Sequence, residues 1–333
     1  MTKPVGLLAI EAEMACQSAD ALATYEQAGV VAADLARSLR HTGRLVMMGM
    51  GASHAANRAV EPLYRGLGID ALAVPVSEQL GMGVPLAGKT VILASQSGES
   101  AEVIRWLNTA RAGEVFGMSL DGQSSLARAV PCLVGAGGPE LAFAATRSLT
   151  LTFAMHLAVM ARLGVDPAPA LAVLRNLPAA DVAPAIAALN AVRTVVTSGR
   201  RLQGVAEAAA LGLCELSQSP AFSLEGGQLR HGPMEIMSPD LGVVLFASDE
   251  PDAGLVMGMA RSASDAGAAV VLFDASGAAP LLGVTTISMP KSSGMAAILT
   301  VLPAIQRFML GYAVARVADV GTPRRSSKIT RTE

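Results

Sequence analysis

Residues 91–100 read VILASQSGES, four apolar residues followed by a turn of small and hydroxyl-bearing residues. The apolar run predicts a buried strand, and the turn leads into a helix that we expect to begin near Ser100. The first N–H groups of a helix have no intrahelical acceptor, and the helix dipole adds partial positive charge there. Because N–H groups and hydroxyls converge after this strand, the stretch favours a phosphate. An ordinary serine N-cap is the structural alternative.

The same order of strand, turn and helix repeats along the whole chain. Strands that are apolar throughout and alternate with helices indicate parallel sheets covered on both faces. We therefore predict an α/β fold with two tandem, doubly wound, parallel five-stranded sheets of flavodoxin-like type, flanking helices and an old duplication. The predicted strands cover 44–48, 71–76, 90–94, 115–119 and 131–134 in the first half, and 193–197, 221–224, 242–247, 269–273 and 285–289 in the second.

The predicted domains follow from this alternation. Helices occupy 1–40 with a break at Gly29, the first sheet domain covers 41–166, the second covers 167–318, and a C-terminal tail covers 319–333. Ligands of such sheets bind past the carboxyl ends of the strands, at the point where the strand order reverses.

Composition excludes several functional classes. The net charge of −2 gives no general field for nucleic acid or a membrane surface. The apolar stretches 149–165 and 294–318 carry polar, charged or proline interruptions, which disfavours membrane helices. Three scattered cysteines without paired spacing argue against disulfides and zinc. Because the N-terminus also has no signal-peptide pattern, we expect a soluble, cytoplasmic protein without a resident metal.

Residues 49–54, GMGASH, begin like a dinucleotide-binding fingerprint, but His54 replaces the third glycine. The next predicted strand ends without a suitable acidic residue, so dinucleotide binding is disfavoured. A second phosphate-facing loop fits better. We expect Gly51 to allow close approach of the ligand and Ser53 to cap the following helix.

Three ionisable residues are candidates for chemistry. Glu215 lies near the end of a predicted alanine- and leucine-rich helix, where apolar neighbours favour a general base, although periodicity alone favours a solvated residue. His231, in Arg-His-Gly-Pro, occupies a pinned turn, whereas His156 is expected in the core and His41 on the surface. Lys328 lies in a basic tail that composition alone reads as a frayed terminus.

Four motifs in order carry a resemblance to a known family. They are the GMGAS turn after the first strand, SQSGES after the third, the glutamate helix followed by LRHGP, and the tail PRRSSKITRTE. Together they resemble the sugar isomerase (SIS) family. Within it they are similar to the isomerase half of glucosamine-6-phosphate synthase and to stand-alone aminosugar-phosphate isomerases and deaminases. The resemblance implies two SIS domains and a homodimer with active sites near the subunit interface.

The resemblance also implies residue roles. Glu215 matches the base that moves a proton between C1 and C2, His231 matches a ring-opening histidine that reaches the partner subunit's site, and Lys328 matches a lysine that forms an imine with a ketose. Two family lysines are replaced here by Gly212 and Arg230. The positions that match the sugar-phosphate binders are Gly51, Ser53, Ser95, Gln96, Ser97 and Ser100.

The synthase begins its glutaminase domain with a cysteine after Met removal, whereas residue 2 here is Thr2. The expected function is therefore release of ammonia, converting glucosamine 6-phosphate to fructose 6-phosphate with neither a metal nor a redox cofactor. A fructosyl-amine 6-phosphate deglycase and a plain aldose–ketose isomerase are alternatives that use the same groups. A non-catalytic sugar-phosphate sensor is the third. The sequence identifies neither the aminosugar phosphate that would be the substrate nor any allosteric effector.

Overall fold

The computed structural model describes residues 3–109 and 113–332. It divides into two compact units, a first unit of residues 9–175 with 323–332 and a second unit of residues 3–8 with 176–322. The division falls after residue 175 and not at the predicted linker near residue 167. Leu174 explains the difference, because its side chain is buried and its carbonyl accepts a hydrogen bond from Ser18 Oγ within the first unit.

The first sheet has strand order β2-β1-β3-β4-β5, and every neighbouring pair is parallel. Its strands are β1 (Arg44–Gly49), β2 (Asp70–Pro75), β3 (Thr90–Ala94), β4 (Glu114–Ser119) and β5 (Cys132–Val134). The helices along this part of the chain are α1 (Val5–Gln27), α2 (Gly29–Thr42), α3 (Gly51–Gly66), α4 (Val76–Leu80), α5 (Ala101–Leu107), α6 (Ser125–Ala129), α7 (Arg147–Arg162) and α8 (Ala168–Arg175).

The second sheet has strand order β10-β9-β8-β6-β7, again with parallel neighbours throughout. Its strands are β6 (Thr194–Gly199), β7 (Ala221–Ser223), β8 (Leu241–Ser248), β9 (Ala269–Ala275) and β10 (Thr285–Ser288). The accompanying helices are α9 (Ala183–Ala188), α10 (Gln203–Ser217), α11 (Gly226–Arg230), a 3-10 turn (Pro233–Ile236), α12 (Ala253–Asp265) and α13 (Gly294–Val314).

Counted from its own first strand, each sheet has the same order, 2-1-3-4-5. This is the flavodoxin-like arrangement, whose switch point lies between the first and third strands. The predicted fold class is confirmed, and identical strand order in both sheets fits the predicted duplication. The switch points are the carboxyl ends of β1 and β3 in the first unit and of β6 and β8 in the second.

Aliphatic side chains and methionines form both cores. Val46, Met48 and Leu93 pack with the single tryptophan, Trp106, in the first unit. In the second, the strands pack against α12. Helix α13 is long and apolar enough to cross a membrane, yet 83% of its apolar window is buried inside the protein. Its hydrophobicity is therefore that of a core helix.

Most predicted elements agree with the structure, and the differences lie at element ends. Apolar spacing in the sequence predicts helices over 102–111 and 144–163. The first is observed as Ala101–Leu107, and its predicted end at residues 110 and 111 lies outside the described residues. The second, α7, begins at Arg147, because the segment before it is held by Glu140. His41 is exposed, as expected.

His156 is fully buried on α7, as predicted. Its Nδ1 lies 3.1 Å from the hydroxyl of Tyr64 on α3, which is also buried. Burial disfavours the imidazolium and lowers the pKa of His156 to about 3. The imidazole is therefore a neutral structural group at physiological pH.

This burial predicts a stability that depends on pH. Below the ordinary pKa of 6.5, His156 binds a proton in the unfolded chain but stays neutral in the folded chain. The free energy of unfolding therefore falls as the pH falls from 6.5 toward about 3. Relative to His156→Gln, the wild type should lose about 1.4 kcal/mol of unfolding free energy per pH unit in this window. Urea unfolding followed by Trp106 fluorescence measures it. Parallel pH curves for the two proteins would contradict the assignment.

Candidate functional site

The serine loop, residues 95–100, leaves the carboxyl end of β3 at the first switch point. Ser95 Oγ accepts a hydrogen bond from the Gly98 N–H at 3.1 Å, and Ser97 Oγ accepts one from the Glu99 N–H at 3.2 Å. Each hydroxyl thus uses a lone pair within the loop and keeps its proton for donation. Two donors held in fixed positions suit an anionic ligand such as phosphate.

Gly98 shapes this loop. Its φ of +63° lies in the left-handed region, and a Cβ there would collide with the side chain of Ser124. The Gly98 carbonyl also accepts a hydrogen bond from the Leu126 N–H at 3.2 Å. The loop is therefore pressed against the start of α6, and only glycine fits at this position.

The loop after β1 lies beside the serine loop in the sheet, because β1 and β3 are neighbouring strands. Gly51 has a φ of +51° and is the first residue of α3, so the helix starts two residues before Ser53. The prediction that Ser53 caps this helix is wrong. Met50 occupies the N-cap position without a side-chain cap, and Ser53 lies half-buried in the first turn.

Ser100 occupies the N-cap position of α5, with an extended backbone and no side-chain cap. The next N–H, that of Ala101, donates a 2.9 Å hydrogen bond to the carbonyl of Thr330 in the C-terminal tail. A tail that composition alone reads as frayed is thus bound, within the first unit, to the helix that follows the serine loop.

Lys328 is the second anchor of this tail. Its Nζ donates to Glu140 Oε2 at 2.8 Å and to the Phe143 carbonyl at 3.4 Å. The Glu140 side chain is completely buried, whereas the Lys328 side chain keeps 21% of its surface exposed. Gln96 of the serine loop also reaches this segment, since its Nε2 donates to the Glu140 carbonyl at 3.3 Å. Glu140 therefore contacts both the tail and the serine loop.

Glu140 is bound from the start of α7 as well. Its Oε1 accepts hydrogen bonds from the N–H groups of Thr146 and Ser148, at 2.9 and 3.1 Å. Burial alone would raise the pKa of Glu140, but the positive charge of Lys328 and the hydrogen bonds from Lys328, Ser148 and Thr146 together lower it. The side chain is therefore a carboxylate at neutral pH.

Glu140 is the residue that sequence reasoning missed. It lies outside the four motifs, in a loop of residues 135–146, and its lysine partner is 188 positions away. One signal was available, because an acidic residue shortly before an apolar helix is typical of N-terminal capping.

Glu215 lies half-buried in the last turn of α10. This helix follows the carboxyl end of β6 and leads to the amino end of β7, a parallel neighbour of β6. From Gln203 to Glu215 the helix rises about 18 Å, at 1.5 Å per residue. Glu215 thus lies toward the amino-end edge of the second sheet.

Gly212, which replaces a family lysine, lies at a close contact between two helices. A Cβ at Gly212 would lie 2.5 Å from Met309 Sδ on α13. Helices α10 and α13 pack closely, and Met309 is itself buried. A longer side chain at 212 requires Met309 to leave its place.

His231 follows α11, which comes after the carboxyl end of β7. Its side chain is exposed, and Gly232, with a φ of +104°, leads on to Pro233 and the 3-10 turn. The predicted pinned turn is confirmed. Arg230, also exposed, ends α11. Within the second unit, Glu215 therefore lies on the connection before β7, and His231 lies on the connection between β7 and β8.

Comparison with known proteins gives the chain its relatives. No protein-family model matches the sequence. The isomerizing glutamine–fructose-6-phosphate aminotransferase of Gluconobacter oxydans is 30% identical over 273 residues, which are 73% of this chain and 44% of that protein. The chain thus spans about half the length of the curated relatives it matches.

Two solved structures share its fold. The C-terminal domain of glucosamine-fructose-6-phosphate aminotransferase from Francisella tularensis superposes with a TM-score of 0.81 at 17% identity, covering 95% of this chain and 98% of that one. The chain belongs to the SIS (sugar isomerase) family. A second SIS neighbour, a glucosamine-6-phosphate deaminase from Thermotoga maritima, has a TM-score of 0.74 at 20% identity, covering 96% and 99%. Likeness at these identities shows the fold alone.

The serine loop predicts a binding defect when its hydroxyls are removed. Hydrogen bonds to a charged group contribute about 1.5–3 kcal/mol each, so Ser95→Ala combined with Ser97→Ala should raise the Kd for a sugar phosphate by about 10²–10⁴-fold. Calorimetric titration with glucitol 6-phosphate, which has no carbonyl to react, measures this. Ser77→Ala, on the exposed face of α4, is the matched control and should leave the Kd unchanged. An unaltered Kd for the double variant would remove the phosphate assignment.

Proposed function

We propose that this SIS protein is an aminosugar-phosphate isomerase that deaminates glucosamine 6-phosphate to fructose 6-phosphate and ammonia. The observation that carries the proposal is the serine loop at the first switch point, with Gln96 and Lys328 both held by Glu140. The names of the neighbours add support, since one is an isomerizing aminotransferase and another a glucosamine-6-phosphate deaminase.

Binding starts at the phosphate. In the proposal, the hydroxyls of Ser95 and Ser97, the side chains of Gln96 and Ser100, and Ser53 beside Gly51 receive it, because both loops leave neighbouring strands at one edge of the sheet. The remaining atoms of the sugar then have a fixed orientation, which lowers the entropic cost of the chemical step.

The proposed chemistry needs one base and one ring-opening group. His231 donates a proton to the ring oxygen while the C1 hydroxyl loses one, which opens the ring and frees the C1 aldehyde. The Glu215 carboxylate removes the proton from C2 and returns it to C1. The C1 oxygen gains a proton and the C2 amine loses one in the same conversion, so that C1 becomes a hydroxymethyl group and the amine becomes an imine. Addition of water to the imine carbon releases ammonia and leaves the ketone of fructose 6-phosphate. Lys328 adds a positive charge near the substrate. In the reaction that starts from the ketose, the Lys328 amine forms an imine with the substrate.

The placement of the two residues supports a homodimer. Glu215 lies toward the amino-end edge of the second sheet, whereas His231 follows α11, which comes after the carboxyl end of β7. Both groups must act on neighbouring atoms of one sugar. We therefore propose that His231 of one chain serves the site that contains Glu215 of its partner, through a two-fold interface.

The deciding experiment is product analysis with the purified protein and a panel of aminosugar phosphates and fructosyl-amine 6-phosphates. Ammonia and fructose 6-phosphate formed together from glucosamine 6-phosphate would support the proposal. Turnover of only the fructosyl amines would make the protein a deglycase, and interconversion without ammonia a plain isomerase. Sugar-phosphate binding without any turnover would make it a sensor.

Removal of the base should separate chemistry from binding. A general base contributes about 10²–10⁴-fold to the rate, so Glu215→Gln should lower kcat by that factor. Its Kd for glucitol 6-phosphate should match the wild type, because the carboxylate acts on the carbons and not on the phosphate. Glu207→Gln, on the same helix, is the control. Wild-type turnover by Glu215→Gln would exclude this residue as the base.

Exchange of residues between subunits should appear as complementation. Glu215→Gln and His231→Ala are each expected to be inactive, but a mixed dimer contains one site with both native residues. Random reassortment after mild unfolding and refolding should therefore restore about a quarter of wild-type activity per dimer. Activity measured before and after co-refolding, with each variant refolded alone as control, tests this. Without recovery, both residues act from one chain.

A further inference from the structure

We propose that Glu140 is a positioning residue that holds the Lys328 ammonium beside the serine loop. The inference rests on the proposed function for the meaning of Lys328. The Glu140–Lys328 contact itself can be tested without any turnover. Glu140 is not proposed to touch the substrate, and it acts through Lys328 and, by its backbone carbonyl, through Gln96.

The two oxygens of Glu140 have different partners. Oε1 receives the N–H groups of Thr146 and Ser148 at the start of α7. Oε2 receives Ser148 Oγ at 2.7 Å and Lys328 Nζ at 2.8 Å. Oε1 therefore binds only the segment at the start of α7, whereas Oε2 binds both Ser148 of α7 and the tail. A substitution that removes the negative charge but keeps Oε1 as an acceptor should therefore affect mainly the contact with the tail.

Charge balance explains why Lys328 is held against Glu140. The neighbouring cation on α7, Arg147, is bound by Glu13 and Asp20, with N–O distances of 2.5 and 2.9 Å. Lys328 supplies the opposite charge for a carboxylate that is completely buried. A buried carboxylate without a cation is costly, so Glu140 draws the lysine of an otherwise exposed tail to one position.

The place of this contact in the first unit links it to the phosphate loop. Ala101 N–H binds the Thr330 carbonyl, two residues after Lys328, and Gln96 binds the Glu140 carbonyl. The serine loop and the residue after it therefore contact both segments of the ion pair: Gln96 binds the Glu140 carbonyl, and Ala101 binds the tail that carries Lys328. Loss of the ion pair should release the lysine while the β3 strand and the start of α7 stay folded.

Glu140→Gln is the variant that alters Oε2. The amide keeps an oxygen for the N–H groups of α7, and its NH2 faces the Lys328 ammonium, which removes the attraction. Pulse labelling with acetic anhydride, read by peptide mass spectrometry, should modify Lys328 about tenfold faster than in the wild type, as expected for loss of a charged hydrogen bond. The labelling of Lys291, in the second unit, is the internal reference.

Glu13→Gln is the matched control. Glu13 also binds the start of α7, through Arg147, and the Leu141 N–H beside Glu140, but it has no contact with Lys328. In Glu13→Gln, Lys328 should be acetylated at the same rate as in the wild type. Equal labelling in folded Glu140→Gln would overturn the proposal. If Glu140→Gln does not fold, Glu140→Asp carries the test, since retraction of the carboxylate should also expose Lys328, and unchanged labelling would again overturn it.

Turnover supplies an independent readout when the proposed function holds. Misplacement of a reacting group by about 1 Å costs about a hundredfold, so Glu140→Gln should lower kcat to that extent while the Kd for glucitol 6-phosphate changes less. Lys328→Met combined with Glu140→Gln should lose no more than Lys328→Met alone. Additive losses would mean that Glu140 acts independently of the lysine. If the wild type shows no turnover, the proposed function is contradicted, and the labelling experiment alone decides whether Glu140 holds Lys328.

Discussion

A single buried carboxylate organises the candidate phosphate region of the first unit. The Glu140 side chain is removed from water, so its hydrogen-bond partners must come from the protein, and the structure supplies a lysine, two hydroxyls and two backbone N–H groups. The Glu140 carboxylate thus connects three segments of the first unit: the loop 135–146, the start of α7 and the C-terminal tail.

The two sheets show how one topology hosts different chemistry. After β3, the first unit places the hydroxyls of the serine loop at its switch point. After β6, the second unit places Arg200 and Arg201, and carboxylates of the same unit pair with both guanidinium groups. Arg200 pairs with Glu225 at 3.1 Å, and Arg201 lies 3.7 Å from a carboxylate oxygen of Glu250. The second switch point therefore neutralises its own cations, whereas the first presents the hydroxyls of Ser95 and Ser97.

The sequence allowed prediction of the fold because its signals are local. Apolar runs such as 91–94 form buried strands by composition alone, and glycines after the strands announce the turns. The ends of α3 and α7 were less predictable, since Gly51 starts one helix early and Glu140 delays the other. The motif residues were found from resemblance. Glu140 was not, because the partner that explains it lies 188 positions away. The placement of Glu215 toward the amino-end edge of the second sheet depends on helix length and strand direction, which no motif contains.

The contact between Gly212 and Met309 links one position of α10 to one position of α13. A Cβ at 212 would lie 2.5 Å from a buried sulfur, so any side chain there requires the end of the Met309 side chain to move. A smaller residue at 309 would make room, but with glycine at 212 it would leave a cavity between the two helices. The two positions are therefore energetically coupled, and the cost of changing the size of one side chain depends on which residue occupies the other position.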